Sequence, residues 1–225
     1  MANAGKSLAT NSDALLVDQG VLTTIESCVR ALAGTPERVL LVTPLPAGLV
    51  AEYGGMLAGA AVFDGVTLKA PASCRGMQVD NPAALTRLGG FDVVVLDRCS
   101  NDPQLLRRLE QLWASERMII NDIGPCLRPE GRLLILDTAR RTAALQRALR
   151  ACGFSMIESY CLLPGLSPMS HLVSSHPRAM RAFMLRSHGF TRGLPRNVLQ
   201  WPRWLAVYLG ADRWHVTWYL LHARL

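Results

Sequence analysis

The residues of this chain that could hold a ligand or move a proton stand at the ends of short apolar runs. Thr43 and Pro44 follow Arg38–Val42, and Asp64 follows Ala60–Phe63. Asp80 and Asn81 follow Met77–Val79, and Asp97 and Arg98 follow Phe91–Leu96. In an open α/β sheet, ligands bind beyond the carboxyl ends of the strands, near the point where strand order reverses. Polar groups that end consecutive strands are therefore candidate contacts to a bound molecule. The candidates for proton transfer are Asp97, His171 and His176, with Tyr160 as an orienting group. Each has a plainer reading. Asp97 can cap the turn that follows it, the two histidines can be loop or cap residues, and a strand tyrosine can serve as packing.

Other chemistries are excluded by what the sequence lacks. No G-x-G-x-x-G follows the first strand, which argues against a nicotinamide dehydrogenase, and there is no P-loop. The six cysteines (Cys28, Cys74, Cys99, Cys126, Cys152 and Cys161) form no C-x-x-C pair, and several lie inside apolar patterns. That predicts buried, reduced thiols in a cytoplasmic protein, with no metal centre.

The elements needed to position these residues are legible in the pattern. Residues 13–33 carry apolar side chains at Leu15, Leu22, Ile25, Val29 and Leu32, a helical spacing, with Ser12 or Asp13 as cap and Gly34 as stop. Continuous apolar runs predict buried strands at 38–42, 60–63, 77–79, 91–96, 132–136 and 154–163. Helices are expected at 46–58, from Pro103, at about 116–126 and at 142–151. A last strand is expected within 214–224. Strands alternating with helices at this spacing imply a mostly parallel α/β sheet with right-handed crossovers.

Composition divides the chain near Pro164. Residues 165–225 contain eight arginines, no lysine and one acid, Asp212, so they hold the whole net charge of +7. Trp201, Trp204, Trp214 and Trp218 lie there too. The first twelve residues are small and polar, without the apolar core of a signal peptide, and read as a flexible N-terminus. No apolar run reaches the ~18 residues of a membrane span.

The stretches FDVVVLD (91–97) and LRPEGRLLILD (127–137) resemble the second half of a class I S-adenosylmethionine-dependent methyltransferase domain. The resemblance implies a Rossmann-like three-layer sandwich on a seven-stranded sheet, with an antiparallel last strand between strands five and six. It assigns residues 13–163 plus 214–225 to that domain, and 164–213 to a basic, Trp- and Arg-rich insertion. It also implies S-adenosylmethionine as cofactor, bound by Thr43, Pro44, Gly48, Asp64, Asp80, Asn81, Asp97 and Arg98. In the family, an acid ending strand two bonds the ribose and one ending strand three bonds the adenine amino group. Asp64 and Asp80 occupy those positions. The first loop, Val42–Gly48, departs from the family pattern. Thr43 replaces the usual acid, Gly48 alone stands for several glycines, and Pro44 and Pro46 remove two N–H donors.

Two functions follow. One is a biosynthetic methyltransferase acting on a small, anionic or lipid-like acceptor beneath the insertion. The other is a non-catalytic methyltransferase-like subunit that meets a partner protein, a second copy of itself or a membrane surface through 164–213. Arginine and tryptophan suit either role, and equally the plainer one of a solvated face whose tryptophans fill the sheet's edge. Nucleic acid is not expected as a partner, because no RNA-binding module accompanies the charge.

Overall fold

The computed structural model describes residues 4–63, 68–69, 89–99, 107, 111, 115–138, 141–163, 169, 171–187 and 218–224, without the side chains of 4–17, 68–69, 116, 187 and 218. The chain opens with helix α1 (Ala4–Ala33), which ends at Gly34 with φ 73°. Strand β1 (Val39–Val42) follows, and all four of its side chains are buried. Helix α2 (Ala47–Tyr53) gives way at Gly54 to a single 3-10 turn, Gly55–Leu57. Strands β2 (Ala61–Phe63), β3 (Leu68–Lys69) and β4 (Phe91–Asp97) come next. Helix α3 (Glu116–Ile123) is capped by Ser115, whose hydroxyl accepts the Met118 N–H at 3.3 Å. Strand β5 (Leu127–Thr138), helix α4 (Thr142–Ala151) and strand β6 (Met156–Leu163) complete the α/β alternation. Strand β7 (His171–Ser174), helix α5 (Pro177–Ser187) and strand β8 (Trp218–Arg224) close the chain.

The sheet order is β3-β2-β1-β4-β5-β8-β6-β7. β1, β2, β4 and β5 pair in parallel, while β8 runs antiparallel to both neighbours, β5 and β6. An antiparallel strand inserted between the fifth and sixth is the arrangement expected from the sequence, and the fold is Rossmann-like and methyltransferase-like. Strand alternation gives the sheet two apolar faces. Leu41, Val93, Val95, Leu134, Leu136 and Leu220 meet α1 and α2, through Val21, Leu22, Ile25, Val29, Leu49 and Val50. Leu40, Val94, Leu96, Leu133, Ile135 and Leu221 meet α3 and α4, through Ile119, Ile120, Ile123, Leu145 and Leu149. Burying each such side chain contributes about 1.5–3 kcal/mol. Helices on both faces make the three layers.

Several expectations change. α1 starts at Ala4, so the helix does not begin at Ser12 or Asp13 and takes in residues 4–12 as well. The reason is local: no proline interrupts the segment, and its alanines favour helix. The third strand expected at 77–79 lies outside the described residues, as does most of the helix expected from Pro103. The described neighbour of β2 is β3, which is antiparallel. Inside the expected insertion, β7 adds an edge strand antiparallel to β6, so eight strands are described in the sheet. The strand expected at 132–136 is longer. It begins at Leu127 and takes in the Pro129-Glu130-Gly131 turn as an irregularity opposite Phe91–Val93.

That turn fixes its own residues. A Cβ on Gly131 would lie 2.8 Å from the Arg128 carbonyl oxygen and 3.0 Å from that of Phe91, so only glycine fits. Glu130, with φ 67°, occupies the left-handed region that favours glycine.

Candidate functional site

Strand order reverses between β1 and β4, and the candidate site is built at their carboxyl ends. The chain leaves β1 at Thr43, which is buried, and the Thr43 N–H donates to the Phe63 carbonyl at 3.0 Å, joining the ends of β1 and β2. The Thr43 hydroxyl donates to Asp97 Oδ2 at 2.8 Å across the reversal point, and its oxygen accepts the Leu45 N–H at 3.1 Å. Asp97 Oδ1 accepts the Cys99 N–H at 2.9 Å. Asp97 is fully buried, and burial raises its pKa, opposed by its bonds to Cys99 and Thr43 and reinforced by the nearby carboxylates Asp18 and Asp137. This arrangement is the turn-capping role that the plainer reading foresaw. Each carboxylate oxygen has one partner within the chain, so Asp97 shapes the loops at this edge.

The next layer is Arg98 with Asp137. The Arg98 N–H donates to the Leu136 carbonyl at 3.0 Å, and its guanidinium lies 3.4 Å from Asp137 Oδ2. Asp137 Oδ1 accepts the Thr138 N–H at 2.6 Å. Both side chains are buried, where removing one partner of an ion pair is far costlier than at a surface. Burial, with the negative charges of Asp97 and Asp137, also drives the Cys99 thiol well above its ordinary pKa, so it is not a nucleophile. Asp137 was not singled out by the sequence, although it ends LRPEGRLLILD as Asp97 ends FDVVVLD. An acid terminating an apolar run was the available signal.

The first loop has room but few donors. Pro44 is buried and Pro46 exposed, and neither has an N–H. Pro46 is the N-cap of α2 and supplies no side-chain cap. Gly48 is exposed, and a Cβ there would meet no atom within 4 Å, so space is open at that point. Asp64, Asp80 and Asn81 lie outside the described residues. The structure thus brings Thr43, Asp97 and Arg98 together and leaves the expected ribose and adenine contacts unassigned.

The proton-transfer candidates separate. Tyr160 lies in β6, and its hydroxyl donates to Glu158 Oε2 at 2.8 Å. Burial and then Glu158 push its pKa up to about 12, so it remains a phenol at neutral pH. His171 pairs with Leu163 in the sheet, at the carboxyl end of β6, the same end as Asp97. Its ring centroid lies 4.9 Å from that of Phe183, in a tilted contact. His176 is a cap, as its plainer reading had it: Nδ1 accepts the Arg178 N–H at 3.3 Å and its carbonyl accepts the Met180 N–H at 3.1 Å. No group of three or more metal-ligating side chains occurs among the described residues. No described helix is long and apolar enough to cross a membrane. All five described cysteines are free thiols.

No protein-family model matches the chain. No curated protein matches it in sequence. Among solved structures, it is similar to an S-adenosylmethionine-dependent methyltransferase from Archaeoglobus fulgidus, at 10% identity and TM-score 0.46, covering 91% of this chain and 94% of that one. It is similar to the precorrin-6y C5,15-methyltransferase of Geobacter metallireducens at 13% identity and TM-score 0.40, covering 83% and 78%. It is also similar to a Haemonchus contortus phosphoethanolamine N-methyltransferase, solved with phosphomonomethylethanolamine and S-adenosylhomocysteine. That match has 14% identity and TM-score 0.39, and covers 63% of this chain and 32% of that one.

Proposed function

We propose that this chain binds S-adenosylmethionine at the carboxyl edge of its sheet and transfers the methyl group to a small, anionic or lipid-like acceptor held under the 164–213 segment. The observation that carries this reading is the sheet itself. It reverses order between β1 and β4 and takes an antiparallel β8 between β5 and β6, joined to the FDVVVLD and LRPEGRLLILD stretches. When bound, the cofactor supplies an electrophilic methyl on a sulfonium, so the reaction needs alignment more than acid or base.

The residues at this edge fit the cofactor as a floor more than as direct donors. Open space at Gly48 leaves room beside the first loop. Thr43, locked to Asp97, fixes where that loop leaves the sheet, and the Arg98–Asp137 pair fixes the ends of β4 and β5. Asp64 and Asp80 would take the ribose and adenine, as the family resemblance implies, with Asn81 beside them. The seven arginines within 164–213 suit a phosphate- or carboxylate-bearing acceptor through paired N–H contacts.

A second reading has its own support. Both Asp97 oxygens are engaged within the chain, and Pro44 and Pro46 offer no N–H to a methionine carboxylate. A non-catalytic subunit would keep such a fold as a scaffold and bind a partner protein or a membrane surface through 164–213.

Isothermal titration with S-adenosylmethionine and S-adenosylhomocysteine separates the two. The enzyme reading expects saturable binding of both, and absence of heat at millimolar cofactor rejects it. Asp80→Ala should weaken binding by about 1–3 kcal/mol, the scale of a lost buried hydrogen bond. An unchanged affinity would move the adenine elsewhere.

A further inference from the structure

The amino end of the sheet, opposite Asp97, carries a groove of about 360 Å³ lined by Ala33, Pro36, Asp92, Arg128, Glu130 and Arg132, among others, and of the residues opposed across β5 and β8 only Arg132 belongs to that lining. Asp92 is fully engaged there. Its Oδ2 accepts the N–H groups of Glu37 at 2.7 Å and Arg38 at 3.1 Å, and Oδ1 pairs with Arg128 at 2.8 Å. Arg132 is different. It stands directly opposite Arg224 in the antiparallel β5–β8 pairing. Opposed side chains in such a pair have Cβ atoms about 4.5–5.5 Å apart, and like charges there destabilise the sheet. Among the described residues, no carboxylate lies within 4.0 Å of either guanidinium.

The imbalance extends further. Arg224 Nε is buried without a hydrogen-bond partner. Two residues along the same strand, on the same face, His222 is buried. Its Nδ1 lies 3.1 Å from Glu158 Oε2, while Nε2 is buried without a partner. Burial and the Arg224 charge both lower the Arg132 pKa. Burial lowers that of His222, the hydrogen bond and charge of Glu158 oppose it, and Arg224 and Arg132 add a smaller lowering. The acids at the groove, Glu37 and Glu130, are exposed, and neither forms an ion pair with the two arginines. Two opposed cations and two unmet ring and guanidinium nitrogens are each unfavourable in an empty fold. A single oxyanion within reach of both guanidiniums and of Nε2 would relieve them together.

We propose that Arg132, Arg224 and His222 form a binding site for a phosphate-type oxyanion at the amino end of the sheet, separate from the cofactor edge. A tetrahedral dianion can accept from both guanidiniums at once. With Nδ1–H held on Glu158, a protonated His222 can offer Nε2–H to a third oxygen. The oxyanion is either inorganic phosphate or the phosphate of a small monoester, and the site chemistry is the same for both.

The test is titration of the full chain with inorganic phosphate and with glycerol 3-phosphate, at constant ionic strength in chloride. One equivalent should bind. Arg132→Gln and Arg224→Gln should each weaken binding by tenfold or more, and Arg147→Gln, on the exposed side of α4, should leave it unchanged. Tighter binding of the monoester assigns the site to a phosphorylated metabolite, and equal binding assigns it to the free ion. No binding to the wild-type chain, or unaltered binding in both arginine variants, overturns the proposal. If the variants fail to fold, the wild-type protein still decides. The His222 ring proton, followed by NMR, should titrate at higher pH in phosphate than in chloride. Identical midpoints in the two salts overturn the proposal as well.

Discussion

The two ends of this sheet are wired in opposite ways. At the carboxyl end, the buried Thr43, Asp97 and Arg98 each find a partner within the chain, in Asp97, Cys99 and Asp137 in turn. At the amino end, Asp92 is answered threefold, but Arg132 faces Arg224 and two buried nitrogens go unpaired. The end where this fold ordinarily receives a ligand is thus the self-satisfied one. A polar edge that closes on itself holds its loops in place, whereas an edge with unmet groups carries a cost that something else must offset.

Four substitutions or conditions test that contrast, beginning with the largest effect. Asp97→Ala should destabilise the fold by about 2–4 kcal/mol, because the Thr43 hydroxyl and the Cys99 N–H lose their acceptor in a fully buried setting. Urea unfolding measures it, and a change below ~0.5 kcal/mol would mean the carboxyl edge is not self-supporting. Thr43→Val should cost about 1–2 kcal/mol by the same assay, since Asp97 loses one donor and the Leu45 N–H its acceptor. Equal stability would show that water replaces the hydroxyl. Glu130→Gly should act in the other direction, raising stability by about 0.5–1 kcal/mol by removing a left-handed non-glycine residue from the amino end. A loss would show that the Glu130 side chain contributes something the backbone does not reveal.

The smallest effect is a pH dependence. Burial holds the His222 pKa below its ordinary value, so the unfolded chain binds that proton more readily than the folded one. Its contribution is complete above the unfolded pKa of about 6.5 and is lost as pH falls through the lower folded value. Glu158 is held below its ordinary value by its bonds to Tyr160 and His222, so its own loss comes at more acid pH. Stability measured from about pH 8 to pH 5 should therefore decline in the wild type and decline less in His222→Gln. Parallel curves would show that His222 is not the titrating group.

Much of the fold was legible because its strands are apolar through and through. FDVVVLD is buried at all seven positions, and periodicity alone marks such a segment as central. The placement of the last strand between the fifth and sixth was legible only through the family resemblance. Nothing in WYLLHAR fixes which neighbours it takes. β7 was missed because HLVS is four residues long and lies in a stretch dominated by arginine and proline signals. α1 was cut short because a polar, alanine-rich sequence reads as loose when considered alone, although it also propagates a helix.

The site was legible in part. Polar residues ending consecutive strands placed Thr43, Asp97 and Arg98 at one edge, where the structure has them, but sequence order could not tell that Thr43 bonds to Asp97 and Arg98 pairs with Asp137. Asp97 looked like a ligand contact because type and position agree. Its geometry gives each oxygen one partner within the chain. Arg132 and Arg224 were invisible as a pair, since they are far apart in sequence and meet only through the β5–β8 register.

The Thr43–Asp97 edge is the proposed seat of the cofactor. Hydrogen exchange of the full chain with and without S-adenosylhomocysteine tests it most directly. Binding there should slow exchange at the amides of Leu45, Ala47, Gly48 and Cys99 and leave those of Glu37, Arg38 and Arg132 unaltered. Slowing confined to the amino end, or none at saturating S-adenosylhomocysteine, contradicts the account.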